Sequence, residues 1–278
     1  MIVRLCSQTL QAALTLLALL AGVFLAARAA GQASAEQIAP FLERMVMLDF
    51  GRSLTTQEPV LELVGRHMRP TLALAGVSIL VLVVIAFPFT VGGARRRGGG
   101  SDGLGRLICA LGQTVPAFWL GILLAAGAAL QLRLVPGFGQ STWKSFVLPV
   151  LVQAMLTGAT IMWLLRGTML RNLNTEFVQL ARARGLSAGR VAWRHSLRNA
   201  LAPVLGLGPL FVSLFAGSLV LTETVFEWPG LGLTAYQAIS RHDYPVVQGI
   251  VVLGCMAVVA ASLVMAVFEA LANPRLRT

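Results

Sequence analysis

The chain has 278 residues, of which 56% are hydrophobic and 12% charged, with 22 Lys+Arg against 11 Asp+Glu and a formal net charge of +11. Soluble domains carry about 25% charged residues, so this composition excludes an ordinary cytosolic enzyme, and a mean hydropathy of +0.78 excludes a disordered chain. Cys6, Cys109 and Cys255 each lie in or beside an apolar run, which fits buried thiols rather than a disulfide framework or a zinc site.

Six stretches contain no Asp, Glu, Lys, Arg or His: Leu5–Ala27, Pro70–Ala94, Leu107–Leu132, Ser145–Leu165, Asn199–Thr222 and Tyr244–Phe268, of 23, 25, 26, 21, 24 and 25 residues. A helix needs about 20 apolar residues to cross a bilayer. Lipid offers no partner to an unpaired backbone group, so the stretches are predicted as helices. The expected fold is an all-α integral membrane protein with six transmembrane helices. The first stretch could also be read as a signal peptide, with Arg4 before it and Ala26-Ala27-Arg28-Ala29-Ala30 after it. It is longer than the usual h-region of about 7–15 residues, so a retained helix is expected. Residues 1–30 are therefore an N-terminal transmembrane helix, 31–69 a periplasmic loop, and 70–278 a five-helix core that includes a cytoplasmic loop, 166–200.

Fourteen basic residues fall in the N-terminal tail, the 95–106 loop, the 166–198 loop and the C-terminal tail, against eight on the other side. That bias puts both termini in the cytoplasm. Topology and anionic lipid account for the net positive charge, and with no basic domain outside the membrane no nucleic acid is expected. Lys144 is the one lysine and lacks the glycines of a phosphate-binding loop. If ATP drives the protein, another subunit hydrolyses it. Pro88, Pro116, Pro149, Pro203 and Pro209 are expected near helix ends or early turns, where they need not break a helix. No ionisable residue interrupts the six stretches, which argues against a proton-driven carrier. No catalytic site and no metal site is expected, since His67, His195 and His242 all lie in loops.

The 166–198 loop carries the most pattern. Phe177, Leu180, Ala181 and Arg184 share a helical face over 174–184. Gly185 fits the position that stops such a helix, and Ser187 is a good N-cap for a second helix over 188–198. A positive loop that happens to be helical is one reading; an element that docks in a partner's groove is the other.

Glu176-Phe177-Val178-Gln179-Leu180-Ala181-Arg182-Ala183-Arg184-Gly185-Leu186-Ser187, with Arg194-His195-Ser196-Leu197-Arg198-Asn199-Ala200-Leu201-Ala202-Pro203 after it, resembles the coupling loop of bacterial ABC importer permeases. The closer resemblance is to the dipeptide, oligopeptide and nickel permeases. Glu223-Thr224-Val225-Phe226-Glu227-Trp228-Pro229-Gly230-Leu231-Gly232, Arg241-His242-Asp243-Tyr244-Pro245-Val246-Val247-Gln248-Gly249, Asp49-Phe50-Gly51-Arg52-Ser53-Leu54 and Asn273-Pro274-Arg275-Leu276-Arg277 fit the same family. Gln179 stands where the general importer signature carries Glu, and Ala30-Gly31-Gln32-Ala33 where the family often has Pro-Gly-Asp-Pro.

The resemblance implies a type I ABC importer permease in the bacterial inner membrane. Its partners would be a sister permease, two cytoplasmic ATPases that bind the ATP and magnesium, an extracytoplasmic substrate-binding protein, and membrane lipid. The cargo would be peptides or nickel and metal chelates. Glu176, Ala181, Arg182, Ala183, Gly185, Leu186 and Ser187 would dock on an ATPase. Glu223, Glu227 and Trp228 would line the translocation pathway or its gate. Two alternatives stay open here: Glu223 could pair with an outer arginine such as Arg241, and Trp228-Pro229-Gly230 could simply form a re-entrant turn. The rival to the whole reading is an ATP-independent carrier or channel.

Overall fold

The structure is a computed structural model that describes residues 47–95, 98–132, 134–173 and 175–272, with a few isolated positions before Met47. Most of the predicted first helix, most of residues 31–46 in the first loop and the Asn273–Arg277 string lie outside the described residues. Among the described residues the chain is helical, with one isolated bridge between Arg52 and Pro59 and no strand.

Helix α1 (Val60–Val81) passes through a π-helical turn, Leu82–Ala86, into α2 (Phe87–Arg95). The run therefore starts at Val60 rather than Pro70, and Pro70 lies inside α1. Helix α3 (Gly100–Thr114) is followed by α4 (Ala117–Leu124) and a second π segment, Ala125–Gln131. Helix α5 (Val147–Asn172) follows a 3-10 turn at Trp143–Phe146. Then come α6 (Glu176–Ala183), α7 (Ala188–Arg190), a third π segment at Val191–Ser196, α8 (Leu197–Gly206), α9 (Gly208–Val225), α10 (Leu231–Ser240) and α11 (Tyr244–Ala272).

Among the described residues four runs are long and apolar enough to cross a membrane: Val60–Arg95, Trp143–Asn172, Gly208–Val225 and Tyr244–Leu271. A fifth is present if the bent pair α3–α4 counts as one span. Two expected straight helices are thus corrected. The third apolar stretch turns through 111° between α3 and α4. Pro116 disfavours the helical region for the residue before it, and Val115 is extended at φ −84°, ψ 123°. The fifth stretch is broken at Leu207, which leaves helical geometry at φ −94°, ψ 8°. Pro209 then opens α9, where its missing N–H costs no hydrogen bond.

Helix α5 is the hub: half of its apolar window is buried, against 11%, 28% and 17% for the windows of α1–α2, α9 and α11. At one end of α5, Leu165 and Met169 pack with Val91, Ala94, Ala192, Leu197, Ala200, Val204 and Phe211. This is called the α6 end. At the other, the α10 end, Phe50, Val60, Leu63 and Val64 pack with Ala238, Val246 and Ile250. In between, Gln153 is fully buried. Its amide donates to the Phe215 carbonyl (3.0 Å) and the Ser218 hydroxyl (2.8 Å) and accepts from Thr222 (3.1 Å), joining α5 to α9. Large apolar side chains such as Leu80 of α1 and Val84 and Ile85 of the π-helical turn stay exposed, as expected of a surface meant for lipid or another subunit.

Candidate functional site

At the α6 end, all seven residues predicted to dock fall in one helix–glycine–helix corner. Val178 and Ala181 of α6 are buried against Leu173 and Val191, with Leu186 packed on them. The chain stops α6 by taking Gly185 to φ +81°. The Leu186 N–H then donates to the Ala181 carbonyl at 3.3 Å, the six-to-one bond that satisfies an orphan carbonyl at a helix end. Ser187 caps α7 by accepting from the Arg190 N–H at 3.4 Å. Glu176, Ala183, Gly185 and Ser187 are exposed, so the corner buries one face and presents the other. The side chain of Arg182 lies outside the described residues. The corner is tied to α5, because Asn172 Nδ2 donates to the Ser196 carbonyl (3.3 Å) and the Ser196 hydroxyl to the Met169 carbonyl (3.2 Å).

At the α10 end the three predicted pathway residues part company. Glu227 is exposed, whereas Glu223 and Trp228 are both fully buried. The Glu223 carboxylate does not reach out to Arg241, which is exposed. It lies on the first turn of α10 and accepts from the Gly232 N–H at 2.6 Å. The neighbouring Leu231 N–H donates to the Thr71 hydroxyl at 2.8 Å. Two of the four orphan amides that open α10 are thus satisfied by side chains from other helices, one of them a carboxyl oxygen. The carboxylate approaches so closely that a Cβ on Gly230 would overlap it. Trp228 completes the knot: its Nε1 donates to the Pro70 carbonyl at 3.0 Å, and its ring stands edge-on to Phe146 at 4.6 Å.

Two of the sequence strings are also brought together here. Asp243, 3% exposed, accepts from the Ser53 hydroxyl and from the backbone N–H groups of Leu54 (3.0 Å) and Thr55 (3.2 Å). Burial pushes the Asp243 carboxyl up, but these donors outweigh it and hold it below its ordinary value. A depressed carboxylate stabilises the fold fully above its unfolded value, and that stability is lost as pH falls through the lower folded one. The 50–59 segment should therefore stay protease-resistant at neutral pH and open only below about pH 4. Asp243→Asn should expose it at pH 7, at a cost of about 1–3 kcal/mol. Equal cleavage of both proteins at pH 7 would contradict this lock.

Sequence reading missed Asp102 and Arg166 as a pair. Asp102 is 3% exposed and receives Arg166 Nε (2.8 Å) and Nη2 (2.7 Å), with the Gly98 N–H at 3.2 Å. Gly98 marks a loop and Asp102 a helix first turn, but nothing local to the sequence pairs that aspartate with Arg166. Among the described residues no group of three His, Cys, Asp or Glu could hold a metal ion.

A multi-pass helical membrane protein with a helix–glycine–helix corner at one end and a sealed knot at the other defines a class of transport subunit. Residues 84–278 match the family described as the binding-protein-dependent transport system inner membrane component, and the chain belongs to that family. It is 30% identical over 237 residues to the glutathione transport system permease protein GsiC of Salmonella typhimurium, covering 85% of this chain and 78% of that one. The same figures hold for GsiC of Escherichia coli. It is 32% identical over 251 residues to the oligopeptide transport system permease protein AppB of Bacillus subtilis, covering 86% and 79%. The chain is accordingly a membrane permease subunit of an ABC importer, and ATP is hydrolysed on separate subunits. Membership implies partner ATPases and a substrate-binding protein.

Proposed function

We propose that this permease pairs with a sister permease and that cargo passes between the two. Two cytoplasmic ATPases, which bind the ATP and magnesium, dock on the corner formed by Glu176, Ala181, Arg182, Ala183, Gly185, Leu186 and Ser187. A substrate-binding protein delivers cargo at the α10 end. In this reading the chain spans the bacterial inner membrane six times, counting residues 1–30, with both termini in the cytoplasm. Peptides of a few residues are the favoured cargo, in keeping with the glutathione and oligopeptide named for the relatives; nickel and metal chelates are the other class. Glu223 and Trp228 hold the gate from inside the knot, and exposed Glu227 stands beside it.

The observation that carries the docking assignment is the exposed face of the corner at Gly185. It is rigidly terminated, and it is tied by Asn172 and Ser196 to α5, the most buried of the four membrane-length runs among the described residues. ATP-driven closure of the ATPases would move such an element as a unit. A mild-detergent pull-down of the chain from native membranes should bring down P-loop ATPases and a second permease. A chain that elutes alone and still moves solute in liposomes without ATP would overturn the proposal.

A further inference from the structure

The Asp102–Arg166 pair has a particular place in the chain. Asp102 sits in the first turn of α3, where a carboxylate suits the helix dipole, and it holds the Gly98 N–H just before that helix. Arg166 lies on α5, ten residues before α6 begins at Glu176. The pair is at the α6 end: the Arg95 guanidinium, a few residues before Gly98, lies against Gly189, where a Cβ would be 3.3 Å from it. Arg106 also faces the carboxylate, at 3.9 Å. Further along, α3 and α5 touch again. A Cβ on Gly112 would be 2.5 Å from both the Met155 carbonyl and the Ala159 side chain, so the two backbones are in close contact there. Beyond Gly112 the chain turns through 111° into α4. Gly121 of α4 packs on Val225 and Phe226, at the foot of the Glu223 knot.

A buried ion pair adds little net stability compared with apolar residues of the same shape, but it fixes geometry, and either charge alone is costly. Close packing at Gly112 opposes separation of the helices, while the two Arg166 N–H groups converging on one Asp102 oxygen, with the Gly98 N–H on the other, oppose sliding and rotation. We infer that Asp102 and Arg166 are positioning residues for coupling: they clamp α3 to α5, so that α5, α3 and the corner at α6 move as one lever whose far arm, α4, bears on the α10 end. The inference rests on the docking reading above. The lever carries signals both ways, since coupling between two sites is reciprocal.

The test uses the complete importer in proteoliposomes, with ATP hydrolysis measured with and without saturating co-encoded binding protein. Basal hydrolysis reports the docked ATPases; stimulation by the binding protein reports transmission from the α10 end. Asp102→Asn and Arg166→Gln should keep both ATPases bound and basal hydrolysis within about twofold, while stimulation falls at least about fivefold. Asp102→Glu, which keeps the charge, should recover most of it. Where a single variant does not assemble, Asp102→Asn/Arg166→Gln leaves no buried orphan charge, since Arg106 is exposed, and takes its place. Wild-type stimulation in an assembled variant would overturn the clamp. So would assembly, basal rate and stimulation falling together, or failure of the double variant to assemble, since each makes the pair a folding element only. Full retention of the ATPases and of stimulation in Ala183→Trp would instead sink the docking reading, leaving the Asp102→Asn ratio to judge the clamp.

Discussion

Gly230→Ala is expected to collapse the α10 end of the permease. The new Cβ would occupy the space of the Glu223 carboxylate, which has no room to retreat because the whole side chain is buried. Either the carboxylate leaves the first turn of α10 or the turn moves away from α9. Overpacking costs about 1–3 kcal/mol, and a lost cap about 1 more. Against a total stability of about 5–15 kcal/mol, that is a large loss. Little monodisperse protein should survive mild heating in detergent. The clash also predicts coupling between the two positions. Glu223→Ala should be destabilising alone, yet Gly230→Ala should cost much less in its presence than in the wild type. A Gly230→Ala protein as heat-stable as the wild type would remove the knot from the account.

Gly185→Leu is expected to act differently, sharply reducing transport with the fold intact. Nothing lies within 4 Å of where a Cβ would stand, so there is no clash. The cost is conformational, because Gly185 is at φ +81° and a side chain disfavours that region by about 1–2 kcal/mol. The corner can relax outward at that expense, carrying Ala183 and Ser187 with it, and a docking surface displaced by an ångström or so fits its groove poorly. Uptake should fall at least about tenfold, the factor that 1.4 kcal/mol represents. Gly185→Asn should retain most activity, since asparagine enters the left-handed region more readily. Equal losses in Gly185→Leu and Gly185→Asn would point to side-chain bulk rather than backbone conformation. Wild-type uptake in Gly185→Leu would remove the corner from the coupling path.

What was legible in the sequence was local. The stop at Gly185 and the cap at Ser187 need only a few neighbouring residues, and both stand where the pattern placed them. The starts of α5 and α11 follow from the charges just before them, Lys144 and Asp243, whereas both helices run on past the next charges, Arg166 and Glu269, to Asn172 and Ala272. The bend at Val115–Pro116 and the break at Leu207 were missed, because a gap between charges measures length and says nothing of backbone geometry. The X-Pro pair and the Gly206-Leu207-Gly208-Pro209 string were the available signals. Illegible altogether were the long-range pairs. Ser53 and Asp243 are 190 residues apart, and Asp102 and Arg166 are 64 apart. Glu223 reads as a lone charge at the end of an apolar stretch, equally suited to a gate or an ion pair. Its place on the first turn of α10 depends on how the Trp228-Pro229-Gly230 turn folds back, which one sequence does not display.

The most direct test of the account is site-specific photo-cross-linking in native membranes from two exposed positions at opposite ends of α5 and its flanking segments, Ala183 and Trp143. The account predicts an adduct between position 183 and a P-loop ATPase, lost in Gly185→Leu, and no ATPase adduct from position 143. An ATPase captured from position 143, or none from position 183 in a transport-competent complex, would contradict it.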